Sequence, residues 1–114
     1  MAMTPEAKVK KAIRKILDDN NVYYAMPMGT GYGNSGVPDF LCCVYGWFVG
    51  IEAKAGKGTT TALQDANLEK IAKAKGITLV IREENITHVQ AAIDAIKDLR
   101  GLGKHPHDNT GVNI

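Results

Sequence analysis

G-V-P-D-F-L-C-C-V-Y-G-W-F-V-G-I-E-A-K, residues 36–54, reads as a β-hairpin. Asp39–Val44 and Trp47–Lys54 are apolar runs rich in β-branched and aromatic side chains. Between them, Tyr45-Gly46 carries the glycine that a two-residue turn favours. Such a turn pairs Val44 with Trp47, and counting outward sets Asp39 opposite Glu52. Lys54 then shares a face with Glu52, while Ala53 points away. Carboxylates paired in this way sit about 4.5–5.5 Å apart at Cβ and repel each other. Apolar residues on both faces of the ribbon sharpen the conflict, so either one acid keeps a proton or the pair holds a cation. A divalent ion between Asp39 and Glu52, with Lys54 placed to meet a negatively charged substrate, has the makings of a metal-dependent phosphodiesterase site.

The flanking sequence supplies the remaining elements. Thr4-Pro5-Glu6 is a helix start, with Thr as N-cap, Pro at the first helical position and an acid in the first turn. Val9, Ala12, Ile13, Ile16 and Leu17 recur at helical spacing until Asn20-Asn21. Residues 22–28 form an expected strand, and Gly29–Gly36 a glycine-rich loop leading into the hairpin. Ala55–Thr59 reads as a mobile loop with Lys57 between two glycines. Thr61–Lys75 is a predicted helix closed by Gly76, with Leu63, Ala66, Ile71 and Ala74 as inward candidates. Thr78–Ile81 is a short buried strand, and Val89–Leu99 a last helix with Ile93 and Ile96 on one face. Residues 1–100 thus form one domain of order α-β-β-β-α-β-α, a mixed sheet flanked by helices, and residues 101–114 a flexible tail.

With 114 residues, 45% hydrophobic and 23% charged, the chain has the make-up of a single globular domain. Met1–Ala12 contains no apolar leader core, and no run approaches the ~18 residues of a membrane span, so the expected location is the cytoplasm. The adjacent Cys42 and Cys43 cannot bridge each other within a regular strand and are expected as two buried thiols on opposite faces. The formal charge is only +2, but its distribution is uneven. Lys8, Lys10, Lys11, Arg14 and Lys15 crowd the first helix, and Lys54, Lys57, Lys70, Lys73 and Lys75 follow the hairpin. Basic groups around an acidic, ion-holding centre suit a phosphate backbone, whereas the plainer reading of each is a solvated helix face.

Two phosphate-binding patterns fail. Gly31-Tyr32-Gly33-Asn34-Ser35-Gly36 matches G-x-G-x-x-G, but that motif needs a helix to open at its end, and Val37-Pro38 follows instead. Gly56-Lys57-Gly58-Thr59 lacks both the upstream glycine and the hydroxyl residue directly after the lysine. No nucleotide cofactor is expected. His88 reads as a surface residue, and His105-Pro106-His107-Asp108 lies in a tail without a rigid frame for a metal.

Glu6 in the first helix, Gly36-Val37-Pro38-Asp39, Glu52-Ala53-Lys54 and Gln64 together resemble the PD-(D/E)XK nuclease superfamily. Within it they look like the virus-type replication-repair nuclease (VRR-NUC) family, whose small stand-alone members come from bacteriophages. The likeness extends over roughly Thr4 to Ile81 and includes the αβββαβ order. It implies a restriction-endonuclease-like α/β fold. It also implies Glu6, Asp39, Glu52 and the Ala53 carbonyl as ligands of Mg²⁺ or Mn²⁺, hard ions suited to oxygen donors. Lys54 would stabilise charge on the phosphate or orient the attacking water, and Gln64 would position either. Lys8, Lys11 and Lys57 would contact DNA. The implied activity is that of a deoxyribonuclease acting in DNA repair on branched substrates, a homodimer resolving four-way (Holliday) junctions, with Tyr45, Trp47 or the tail as candidate dimer contacts. Two alternatives keep part of this reading: a monomeric flap endonuclease or exonuclease module, and a non-catalytic DNA-binding protein. Glu6 also suits a helix dipole, and Thr61-x-x-Gln64 is also a capping box.

Overall fold

The computed structural model describes residues 2–28 and 36–104. Helix α1 (Pro5–Asp19) starts as its sequence dictates: the Thr4 hydroxyl accepts the Ala7 N–H at 3.1 Å, and Pro5 stands where a missing N–H costs nothing. Strands β1 (Tyr23–Ala25), β2 (Phe40–Val44) and β3 (Trp47–Ala53) follow, then α2 (Ala62–Lys73), β4 (Ile77–Ile81), a 3-10 turn over Glu83–Asn85 and α3 (Thr87–Gly101). The sheet order is β1-β2-β3-β4, antiparallel except for the parallel β3–β4 pair. The molecule is therefore an α/β protein with a four-stranded mixed sheet. No helix among the described residues is long and apolar enough to cross a membrane.

The hairpin register is the expected one. Val44 pairs with Trp47 and Phe40 with Ile51, and Tyr45 and Gly46 take φ of 49° and 86°. Two successive left-handed residues match the right-handed strand twist, so the turn itself locks every pairing back to the acidic end. One face of the sheet carries the core: Phe40, Cys42, Val44, Val49, Ile51, Ala53 and Ile81 pack against Val9, Ile13 and Leu17 of α1 and Val89, Ile93 and Ile96 of α3. Reciprocal amide bonds between Asn20 and Gln90, at 2.7 and 3.1 Å, tie α1 to α3.

Helix α2 covers the other face, and only in part. Its half-buried residues are Gln64, Asn67, Leu68 and Ile71, a stripe at i, i+3, i+4, i+7. Leu63, Ala66 and Ala74 are exposed, so the expected inward face was out of phase except at Ile71. The partial cover has two further consequences. Cys43, expected to be buried, is exposed beside Tyr23 and Phe48, which are its cross-strand neighbours. Strand β4 is half-buried along most of its length rather than fully buried, because it forms the sheet edge. The first strand is also shorter than expected, three residues of the seven.

The end of α2 departs from the expected glycine cap. Lys75, not Gly76, takes the left-handed position, with φ of 74°. The Lys75 N–H reaches the Ala72 carbonyl at 3.0 Å and the Gly76 N–H the Ile71 carbonyl at 2.9 Å, a Schellman arrangement. Gly76 is needed for space: a Cβ there would lie 2.7 Å from Ile71 Cγ2 and 3.3 Å from Phe48 Cδ1. The last helix runs to Gly101, and residues 102–104 turn back so that the Lys104 N–H meets the Leu99 carbonyl. Most of the expected tail, with His105 and His107, and residues 29–35 of the glycine-rich loop lie outside the described residues.

Candidate active site

The site is built where the sheet's apolar pairing ends. Asp39 precedes β2 by one residue, and Glu52 is the penultimate residue of β3, so one step beyond the Phe40–Ile51 pair the antiparallel register sets the two opposite each other. Asp39 Oδ2 accepts the Ala53 N–H at 2.8 Å, which caps the end of the hairpin ladder with a carboxylate. In extended backbone a residue's own N–H and C=O point the same way, so the Ala53 carbonyl is directed past the end of β2, on the side of β3 where Asp39 lies. This open end of the hairpin ladder is the opening of the candidate site.

Glu52 is 3% exposed and is the buried charged residue among the described residues. Burial pushes its carboxyl up to about 7, the Asp39 charge pushes it the same way, and Lys54 opposes both. Like charges in a poorly solvated place have this effect, and a fixed cation is what would reverse it. Lys54 Nζ lies 3.4 Å from Glu52 Oε2, with its side chain only 12% exposed. Gln64 Nε2 donates to the same Glu52 oxygen at 3.1 Å. Its Oε1 meanwhile accepts the Thr61 N–H at 2.9 Å, and the Thr61 hydroxyl accepts the Gln64 N–H at 3.2 Å. The capping box and the contact to Glu52 are therefore not rivals: one side chain does both, and the cap fixes the amide that holds the acid.

Glu6 is brought to the same end of the molecule but does not meet Glu52 through a direct bond. Its Oε2 lies 3.7 Å from Lys10 Nζ, which is 3.4 Å from Asp39 Oδ1. Lys10 is the residue that sequence reasoning left in the crowd of helix lysines. Its position one turn after Glu6 was the available signal. Among the described residues no three His, Cys, Asp or Glu side chains are gathered into a ready cage for an ion. The donors that do converge, Asp39, Glu52 and the Ala53 carbonyl, are all hard oxygens and fit Mg²⁺ or Mn²⁺ better than a softer ion.

The three lysines expected to meet DNA are all exposed. Lys8 is exposed and lines a shallow groove with Val9, Ala12, Glu83 and Ile86, and Lys11 is exposed further round α1. Lys57 is exposed in a turn that is tied down rather than mobile. Both Glu83 oxygens accept the Gly56 N–H, at 3.0 and 3.1 Å, and Arg82 donates to the carbonyls of Gly56 and Gly58. Tyr45 lies under the Arg100 guanidinium, 5.9 Å from ring centroid to Cζ. Trp47 packs against the core. His88 is exposed, as expected.

Compared with known proteins, the chain matches no protein-family model and no curated protein. The site's own geometry is what bears on function.

Proposed function

We propose that the chain is a Mg²⁺- or Mn²⁺-dependent DNA endonuclease of the PD-(D/E)XK type, similar to the stand-alone VRR-NUC nucleases. Its proposed substrate is a four-way DNA junction, cut in two strands by a homodimer whose two-fold axis relates two sites. One observation carries the reading: two acids with reason to repel, Asp39 and Glu52, face each other beside a nearly buried lysine, Lys54. A purely structural sheet gains nothing from that pairing. The αβββαβ element order agrees with the reading.

The roles follow from the contacts. Asp39 is held by the Ala53 N–H, so its second oxygen is presented to the opening. Glu52 is oriented by Gln64 and kept from tilting away by α2's capped first turn. A bound divalent ion would neutralise charge on the scissile phosphate and acidify a water to serve as nucleophile. Lys54 stands beside Glu52 as a compact positive charge, able to stabilise the extra negative charge of the phosphorane-like transition state. Glu6, linked to Asp39 through Lys10, would serve as a further acid, and the exposed Lys8, Lys11 and Lys57 would serve as contacts to the DNA backbone.

A labelled four-way junction incubated with increasing Mg²⁺ or Mn²⁺ tests the proposal. Cutting should require the ion, should favour the junction over linear duplex, and should vanish in Lys54→Ala while DNA affinity survives. A second reading has its own observation in favour: both acids already have ammonium partners, Lys10 for Asp39 and Lys54 for Glu52. On that reading the chain binds DNA without cutting it. Binding indifferent to Mg²⁺ and unchanged in Glu52→Gln, with no cleavage of junction, flap or duplex, would favour it.

A further inference from the structure

The chemistry just described gives Lys10 no part, yet Lys10 is the one ammonium within 4 Å of both Glu6 and Asp39 among the described residues. Three helical ion pairs at i, i+4 spacing allow a comparison. Lys15–Asp19 and Lys73–Glu69 close to 2.9 Å, as unconstrained surface pairs do. Lys10–Glu6 has the same spacing but stands at 3.7 Å, because the ammonium is also drawn to Asp39 Oδ1 at 3.4 Å. Asp39 Oδ2 is already committed to the Ala53 N–H, so Oδ1 is the oxygen left to face the opening, and Lys10 sits on it. Both distances exceed the roughly 2.7–2.9 Å of a charge-assisted hydrogen bond. The ammonium is attracted to both acids without being locked to either, and its flexible four-carbon stem allows it to swing away.

We infer that Lys10 is a tethered cation that occupies the Glu6–Asp39 side of the site and is displaced by the divalent ion, so that it sets the affinity for that ion. The inference rests on the reading of Asp39 and Glu52 as ion-holding. In the ion-free protein Lys10 screens Glu6 from Asp39. On ion binding it gives up Asp39 Oδ1, and its freed ammonium remains at the opening as a contact for a phosphate. Lys10 is a positioning residue in this scheme. A merely structural ion pair would behave in the opposite way: removing it would loosen Asp39 and weaken the ion.

The test is Mn²⁺ binding to the intact protein, read from the electron paramagnetic resonance signal of the free ion, in wild type, Lys10→Met, Lys10→Gln, Lys10→Arg and Glu52→Gln. A unit charge facing a divalent ion across about 6 Å of water-like dielectric is worth about tenfold in affinity. Both neutral variants should therefore bind Mn²⁺ about tenfold more tightly than wild type, and Lys10→Arg should stay near wild type. Without the ion, Lys10→Met should melt lower than wild type, with a larger upward shift on adding Mn²⁺. Equal or weaker binding by both neutral variants overturns the role of Lys10. If Glu52→Gln loses the ion while the neutral Lys10 variants match wild type, only Lys10's role falls. If Glu52→Gln binds as tightly as wild type, the ion lies elsewhere and the reading of the site falls with it.

Discussion

In the absence of divalent ions the protein should lose stability as pH rises from about 4.5 to 7. Glu52 titrates near its ordinary 4.5 in the unfolded chain and at about 7 in the folded one. Between those values the folded protein retains a proton that the unfolded chain has released, so the slope of stability against pH is negative. The contribution is fully present below about pH 4.5 and lost above about pH 7. At about 1.4 kcal/mol per pH unit the gap amounts to roughly 3 kcal/mol. Nearby titrations do not mask the window: Glu83 is shifted below its ordinary range, while Lys15 and Cys42 are shifted upward from values already above it. Urea denaturation at half-unit pH steps, in chelator, measures the effect. Slopes should be compared rather than absolute stabilities, because Glu52→Gln also leaves Lys54 without its partner. The variant should flatten the profile between about pH 4.5 and 7, and excess Mg²⁺ should flatten it in wild type by favouring the ionised acid. A flat or rising wild-type profile in chelator, or an unchanged slope in Glu52→Gln, would refute the account of a buried, repelled carboxyl.

Other outcomes are expected from the same contacts. Gly76→Ala should destabilise by about 1–3 kcal/mol in urea, since its Cβ would press on Ile71 at 2.7 Å. Lys75→Gly, by contrast, should stabilise by up to about 1 kcal/mol, because a left-handed position suits glycine better. Thr61→Ala removes the N-cap and should cost about 1 kcal/mol. It should also slow junction cutting several-fold, because Gln64 then holds Glu52 less well, an effect that single-turnover cleavage would separate from binding. Glu83→Gln should weaken the tie to the Gly56 N–H and make residues 55–59 more susceptible to limited proteolysis, without changing the unfolding free energy measured in urea by more than about 1 kcal/mol.

The parts of this molecule that could be read from sequence are those that local rules fix. A two-residue turn at Tyr45-Gly46 determines the hairpin register, and that register alone carries Asp39 to Glu52. The cap at Thr4-Pro5 and the apolar stripe of α1 likewise depend on neighbours a few residues away. What escaped depends on which surfaces the helices cover. The inward phase of α2 is set by Gln64 reaching Glu52 and Ile71 reaching Gly50, contacts that the weakly apolar helix does not announce. Cys43 is exposed because α2 covers only part of its face. Residues 55–59 look unrestrained by composition, and the groups that hold them, Arg82 and Glu83, come from the far side of β4. Lys10 is one of five basic residues between Lys8 and Lys15; its spacing from Glu6 hints at a pair, but its contact with Asp39 depends on how α1 packs against the hairpin.

Anomalous scattering from a crystal soaked in Mn²⁺ tests the central claim most directly. The expected result is a peak in contact with the Asp39 and Glu52 carboxylates and the Ala53 carbonyl, with Lys10 moved off Asp39 Oδ1. A fully soaked crystal with no peak there, and with Asp39 and Glu52 still paired to Lys10 and Lys54, would contradict it.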